Sequence, residues 1–425
     1  MFKTIMRKAL KEETGYAFQP GSHFILMENV SNTMDEGVIK EALKAHKDIA
    51  AWGANGPDLG LIQVGELFGY SPWSCNFHYF KTGDFCKTML EKALESGDLK
   101  KIAFAAGWVT HCCGDMGCHG IFVNPEAGVY LDEPEGRPLH MALEKNAEPV
   151  LWVEKGGYTP EDYKETGIAV RFSSASALPF DLLAEACEEI HGSRPSDTEM
   201  RSWVELFHLA LKTGVGYKYT SYSDAKQYLS ENGRYDRLIK GFESAQARCL
   251  MLLNGAQAGD YSEFKNRWNL DVGRSDSPVS NLHVLVKTAS QSLTDFGSGT
   301  DDYVYFGVNF KDGSQKKFEL SNGKMSGVTV NDFEAGQEDK FYLYIDKASD
   351  YFKPEDIESI FLEKKVADWS IGGDWKPEYI HVYMNGVLVV DETINHYITD
   401  EAPKWVKAVN IVGVPSQPDP ADPVL

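Results

Sequence analysis

A chain of 425 residues exceeds the size at which a single hydrophobic core keeps growing, so two domains are expected. Its apolar content of 43% is ample for packed cores, while a formal charge of −21 argues against nucleic acid or anionic lipid as the main partner, because both demand clustered Lys and Arg. No apolar run reaches the roughly 18 residues of a membrane span, and the N-terminal "MFKTIMRKALKEETGYAFQP" lacks the apolar core of a secretion signal.

From about Met34 to Ala256 apolar residues recur at helical spacing. "DEGVIKEALKAHKDIAAWG" opens acidic and closes on glycine, as a helix should. "CKTMLEKALESGDLKKIAFAAGWVTHCCGD" reads as two helices broken near Ser96 and Gly97, and "LPFDLLAEACEEIHG", "DTEMRSWVELFHLALKTG" and "DAKQYLSENGRYDRLIKGFESAQARCLMLLNGA" continue the trend. The polar "LDVGRSDSPVSN" suits a linker. Beyond it come short β-rich runs: "LHVLVKTA", "DYVYFGVNF", "KKFEL", "KFYLYI", "SIFLEKK", "YIHVYMNGVLVVD" and "WVKAVNIVG". "MNG" marks a hairpin, and the regular spacing suggests a β-sandwich. The tail "PSQPDPADPVL" has the composition of a disordered segment. An all-α domain followed by an all-β domain is the expected architecture.

One stretch stands out chemically. "GWVTHCCGDMGCHGIFVN", from Gly107 to Asn124, gathers two histidines, one aspartate and three cysteines. Seven cysteines cannot complete a disulfide framework, and Cys112, Cys113 and Cys118 make no CxxC pair, while Cys75, Cys86, Cys187 and Cys249 are scattered. A structural zinc site made of cysteines alone is therefore disfavoured, and free or buried thiols are expected. On a helix His111, Asp115 and His119 fall at i, i+4 and i+8, on one face, and Gly114 and Gly117 permit close backbone approach. His140 and Glu144 repeat the i, i+4 pairing. A solvated helix face is the plainer reading of such a pair. Apolar flanks make the face buried, however, and unpaired imidazole and carboxylate are costly there, so two such pairs favour a catalytic metal. Upstream, His23, Asp58 in a "GPD" loop and His78 are further candidates, whereas His46, His191, His208, His283, His381 and His396 have no partner at ligand spacing.

In order, His23, Asp58, His78, His111-xxx-Asp115, His119 and His140-xxx-Glu144 resemble the zinc-dependent phospholipase C family, that of the clostridial alpha-toxin and the bacillary phospholipases C. In the β region "GSGTDDYVYFGVNFKDGS" and "KPEYIHVYMNGVLVVDETINHYI" are similar to the family's C-terminal PLAT sandwich, a calcium-assisted lipid-binding module. The resemblance implies a helical bundle with a metal cleft, a fold shared with certain single-strand nucleases, over residues 1–268. A linker at 269–281, a PLAT sandwich at 282–412 and a disordered tail at 413–425 would follow.

It further implies two to three zinc ions: one on Asp58, His78, His111 and Asp115, one on His119, His140 and Glu144, and one shared by Asp115 and His23. In the family an N-terminal tryptophan completes the third site; here no Trp precedes Trp52. The implied reaction is hydrolysis of phosphatidylcholine-like lipid to diacylglycerol and phosphorylated head group, with Asp58 as proton acceptor. Leu59 stands where the family places a head-group tyrosine, leaving Tyr70, Trp73, Phe77 and Tyr79 as substitutes or as core. Calcium would be held by Gly297, Gly299, Asp301, Asp302, Asn331, Asp332 and Asp374, and Tyr303, Trp369 and Ile371 would touch the membrane. The expected partner is a zwitterionic phospholipid surface, met by a monomer with no transmembrane segment and no affinity for nucleic acid. The chain is expected to be secreted by resemblance, and cytoplasmic if it is complete as written. A nuclease of the same fold and a catalytically decayed lipid-binding protein are the alternatives.

Overall fold

A computed structural model of the chain describes residues 19–61, 73–79, 81–128, 136–163, 168–172, 177–192, 194–213, 220–264, 268, 270, 279, 281–290, 298–321, 331–344, 352–367, 373–384 and 387–411. Tyr70, Gly297, Trp369, Ile371, the Asn385 and Gly386 of the expected hairpin, and residues 413–425 lie outside them. The chain divides into a helical unit and a β unit.

The helical unit comprises α1 (Pro20–Thr33), α2 (Val38–Ala45), α3 (Lys47–Gly53), α4 (Trp73–Tyr79), α5 (Thr82–Ser96), α6 (Leu99–Cys118), α7 (Asn124–Ala127), α8 (Arg137–Glu154), α9 (Phe180–His191), α10 (Asp197–Thr213), α11 (Tyr222–Leu229) and α12 (Arg234–Gln257). A 3-10 turn, Pro57–Leu61, follows α3, and a π-helical turn, His119–Val123, joins α6 to α7. The break between α5 and α6 falls where it was expected. Gly97 takes the left-handed conformation (φ 67°) that closes α5, and the Asp98 carboxylate accepts from the Lys100 N–H at 2.8 Å to cap α6. Every residue of α6 from Ile102 to Cys118 is buried, so this helix runs through the centre, packed by α1, α2, α3, α5 and α12. Gly117 is what lets α12 come so near: a Cβ there would lie 2.8 Å from the Gly241 carbonyl oxygen. Leu270, expected to begin the linker, is instead fully buried in the helical core.

The β unit contains β1 (Asn281–Thr288), β2 (Tyr303–Phe310), β3 (Gln315–Leu320), β4 (Glu338–Tyr344), β5 (Ile357–Lys365), β6 (Pro377–Met384), β7 (Val387–Thr393) and β8 (Lys404–Ala408). Two four-stranded antiparallel sheets form, in the orders β4-β1-β6-β7 and β3-β2-β5-β8. Val284, Val286, Ile380 and Val382 of the first share one core with Phe306, Val308, Ile360 and Leu362 of the second, which makes the pair a sandwich. The expected all-α then all-β order is the observed one.

Burial pushes the Asp339 carboxyl on β4 up to about 7, although it accepts the Phe333 N–H at 2.8 Å and Gln337 Nε2 at 2.6 Å. The unfolded chain gives up this proton near pH 3.8, and the folded chain keeps it to about pH 7. The associated stability is therefore full below pH 4 and is lost as pH rises to 7, by roughly 3–4 kcal/mol. Hydrogen exchange of β4 in the presence of a calcium chelator should quicken between pH 4.5 and 7.5, after correction for intrinsic exchange. In Asp339→Asn that excess should vanish, and an unchanged excess would refute the assignment.

Candidate metal centre

Six segments deliver the ionisable side chains singled out in the sequence. His23 lies in the first turns of α1, Asp58 in the 3-10 turn, His78 near the end of α4, and His111 and Asp115 on α6. His119 opens the π-helical turn, and His140 and Glu144 sit on α8. None of the eight is more than 6% exposed. Gly114 makes this possible for His23, since a Cβ at 114 would stand 3.2 Å from His23 Nδ1.

The eight side chains fall into two neighbourhoods. In the first, Asp115 is the hub: its carboxylate lies 3.3 Å from His23 Nε2, 3.1 Å from His111 Nε2 and 3.7 Å from His78 Nε2. Asp58 joins it from the far side, 3.3 Å from His78 Nε2 and 3.9 Å from His111 Nε2. The rings of His23 and His111 stack at 4.0 Å. In the second, Glu144 lies 2.7 Å from His140 Nε2 and 3.7 Å from His119 Nε2. Three triads have ligand atoms within 4.8 Å of one another: His23/Asp58/His111, His78/His111/Asp115 and His119/His140/Glu144.

Backbone carbonyls decide which nitrogen of each ring faces inward. Nδ1 of His78 donates to the Ser74 carbonyl (2.8 Å), that of His111 to Ala54 (3.0 Å), that of His119 to Leu270 (2.6 Å) and that of His140 to Gly128 (3.4 Å). A carbonyl only accepts, so the proton sits on Nδ1 and the Nε2 lone pair points at the carboxylates. Lone pairs facing carboxylate oxygens repel unless a cation lies among them. Both oxygens of Asp58, Asp115 and Glu144 are buried with no hydrogen-bond donor among the described residues. Neutral imidazoles with carboxylates, held from behind by carbonyls, are the donor set of zinc, and the residues fit that metal.

The proton affinities respond to the same crowding. Burial lowers His23, with help from the stacked His111. Burial would raise Asp115, but before a cation binds the charge and Nε2–H of a protonated His111, followed by His23, hold it well below the usual carboxylate range. Burial pushes Glu144 up to about 8 against the pull of His119.

Residues 22–212 match the family described as zinc dependent phospholipase C. The match falls on the helical part of the chain. The curated phospholipase C of Clostridium novyi is 36% identical over 137 residues, which is 31% of this chain and 31% of the relative. That of Clostridium haemolyticum is 28% identical over 218 residues, 51% of this chain and 49% of the relative, so the matches span at most about half the length of these proteins. Among solved structures, an alpha toxin from Clostridium absonum is similar at 17% identity, with 93% of this chain and 100% of that one covered and a TM-score of 0.31.

Three details bear on the sequence expectations, and the cysteines meet theirs. His119 keeps the helical register of His111 and Asp115, its N–H still bonded to the Asp115 carbonyl, yet one turn further on its ring sits with His140 and Glu144 of α8 rather than with Asp115. The cysteines stay out of the ligand triads: Cys112 meets Cys86 at 3.5 Å between Sγ atoms, and all three of Cys112, Cys113 and Cys118 are buried in the core. Leu59 is buried, and Trp73 and Phe77 belong to a ring cluster with Phe85, Trp108 and His191 rather than to an open wall. The side chain of Tyr79, like Tyr70, lies outside the described residues. Sequence reading also missed Leu270, whose carbonyl orients His119 and whose N–H donates to the His78 carbonyl at 3.1 Å. A backbone role leaves no side-chain signal.

In the β unit the expected calcium residues are only partly grouped. The loops carrying Gly299 and Asp301, Asn331 and Asp332, and Asp374 are laced by Thr300 N–H to the Phe333 carbonyl (3.2 Å) and Lys376 N–H to that of Ser298 (3.0 Å). Asp301, Asn331 and Asp374 are exposed, Asp332 and Tyr303 half-buried. Asp302 is a correction: it turns inward, where Lys364 Nζ donates to it at 2.7 Å and the Ala367 N–H at 3.2 Å. A buried ammonium already neutralises that carboxylate, so it is not available to a cation.

Because the two neighbourhoods are separate, their metals should be lost separately. Asp115→Asn should remove at least one zinc and Glu144→Gln a different one, each weakened tenfold or more, by elemental analysis after dialysis. Retention of full zinc by both variants would exclude this ligand assignment.

Proposed function

We propose that the chain is a zinc-dependent phospholipase C that hydrolyses phosphatidylcholine-like lipid to diacylglycerol and phosphorylated head group. The observation that carries this reading is the buried convergence of imidazole Nε2 atoms and carboxylates on two points, on a family-matched helical unit. When bound, zinc would supply positive charge for a phosphodiester anion and lower the pKa of a water toward about 7. Asp115, crowded by three imidazoles, serves to hold. Asp58 faces two at longer average range, so it is the carboxylate with capacity to take the proton from the attacking water. His23, His78, His111, His119, His140 and Glu144 complete the ligand set, with two to three zinc ions in all.

The β unit serves, in this reading, as a PLAT-type module that docks a monomeric, secreted protein on zwitterionic lipid. Calcium bound near Gly299, Asp301, Asn331, Asp332 and Asp374 would bridge an acidic surface to phosphate groups, which suits a chain of net charge −21. The lacing of those three loops supports it. No described helix is long and apolar enough to cross a membrane, and the contact proposed is peripheral.

Purified protein should release phosphocholine from phosphatidylcholine vesicles, lose that activity to a zinc chelator and regain it with zinc. Asp58→Asn should lower the rate at least a hundredfold with zinc content kept within one ion of wild type. Zinc-loaded protein that leaves every phospholipid head group intact, yet cleaves single-stranded nucleic acid, would replace this reading with the nuclease one.

A further inference from the structure

We infer that Glu148 is a positioning residue that sets His23 by capping the helix that carries it, an inference that rests on the zinc reading above. Helix α1 starts with a local shortage. Gln19 makes no side-chain cap, and Pro20 has no N–H, so the Gly21 N–H is the first donor of the helix. Pro20, Gly21, Ser22 and His23 are all buried, so water is a poor substitute partner. Glu148, 127 residues away on α8, supplies the acceptor: its Oε1 takes the Gly21 N–H at 2.5 Å. Its Oε2 takes the Tyr163 hydroxyl at 2.5 Å, and the side chain is 1% exposed.

Two features tie this contact to the metal centre. The first is register. His140, Glu144 and Glu148 follow one another at steps of four, so α8 presents three consecutive turns on one face. The first two residues face the His119 triad, and the third grips the start of α1. The second is reach. His23 lies two residues beyond Gly21, stacked on His111 at 4.0 Å with Nε2 3.3 Å from Asp115. A carboxylate at the N-terminus of a 14-residue helix fixes both its axial position and its charge balance. Gly21 is part of the device, since a Cβ there would stand 2.6 Å from Glu148 Oε1. Glu148 thereby links the His23 neighbourhood to the helix that bears the other one.

The test is metal binding by the full chain, read without activity. Zinc is counted by elemental analysis, and sites are followed by cobalt(II) titration in the visible range. His23→Ala first marks the ion that depends on His23. Glu148→Gln should weaken that same ion tenfold or more and leave the His119/His140/Glu144 ion within twofold of wild type. Gly21→Ala, which pushes the carboxylate away without changing its charge, should give the same selective loss, so the inference survives if Glu148→Gln folds poorly. If Glu148→Gln lowers Tm but every ion keeps its wild-type affinity, Glu148 is a structural cap only and the inference is overturned. Equal weakening of all ions overturns it as well. If His23→Ala loses no ion, no His23-dependent site exists, which ends this inference but leaves the phospholipase reading standing. Wild-type protein that binds no zinc ends both.

Discussion

The helical unit depends on one electrostatic constraint. Three carboxylates and five imidazoles are buried among helices, and four of the rings are held from behind by backbone carbonyls so that their lone pairs face the carboxylates. Removing such groups from water costs several kcal/mol each unless opposite charge is brought in. Among the described residues no hydrogen-bond donor reaches the oxygens of Asp58, Asp115 or Glu144. Much of the fold can be understood as the scaffold this arrangement needs. A central helix buried over its whole inner length carries the hub aspartate, and a glycine beside it seats His23.

How far the sequence disclosed this depended on how local each contact is. His111 with Asp115 and His140 with Glu144 are i, i+4 pairs, and helical periodicity alone puts each pair on one face. The change from helical to β texture was equally local, carried by composition and turn residues. The association of His23, Asp58 and His78 with α6 is tertiary, and only the family resemblance placed them together. His119 shows the limit of periodicity. It stays in helical register with Asp115, but what stands opposite it is α8, and the spacing along one helix says nothing of that.

The contacts that were not legible share a physical character. Leu270 acts through its peptide group, which any residue could supply, so its side chain gives no warning. Asp302 looked like its neighbour Asp301, but Lys364 lies 62 positions further on and becomes its partner only when β2 pairs with β5. Glu148 was the most accessible of these, because it continues the spacing of His140 and Glu144 by one further turn. What the spacing could not show is that its carboxylate meets a helix start rather than a metal. Three equal steps on one helix therefore end in two chemical roles, set by what stands opposite.

The two units consequently answer to different solution variables. In the zinc reading, stability of the helical unit would be linked to a cation, since protons and metal would compete for Glu144, whose carboxyl burial pushes up to about 8. Raising pH favours the metal-bound form there, because the carboxylate must be bare to bind. In the β unit the buried Asp339 carboxyl works in the opposite sense, since deprotonation strands a charge in the core. An acid at about 7 in one unit and one at about 8 in the other thus divide the neutral range between them. Toward its alkaline side the ligand set of the helical unit is ready for metal, and the sandwich is relieved only if a cation or added hydrogen bonds reach Asp339. The Asn331–Asp332 loop adjoins that group, since the Phe333 N–H donates to Asp339 and the Asp332 carboxylate adds to its rise, so an ion bound there, as proposed for this unit, would ease its ionisation.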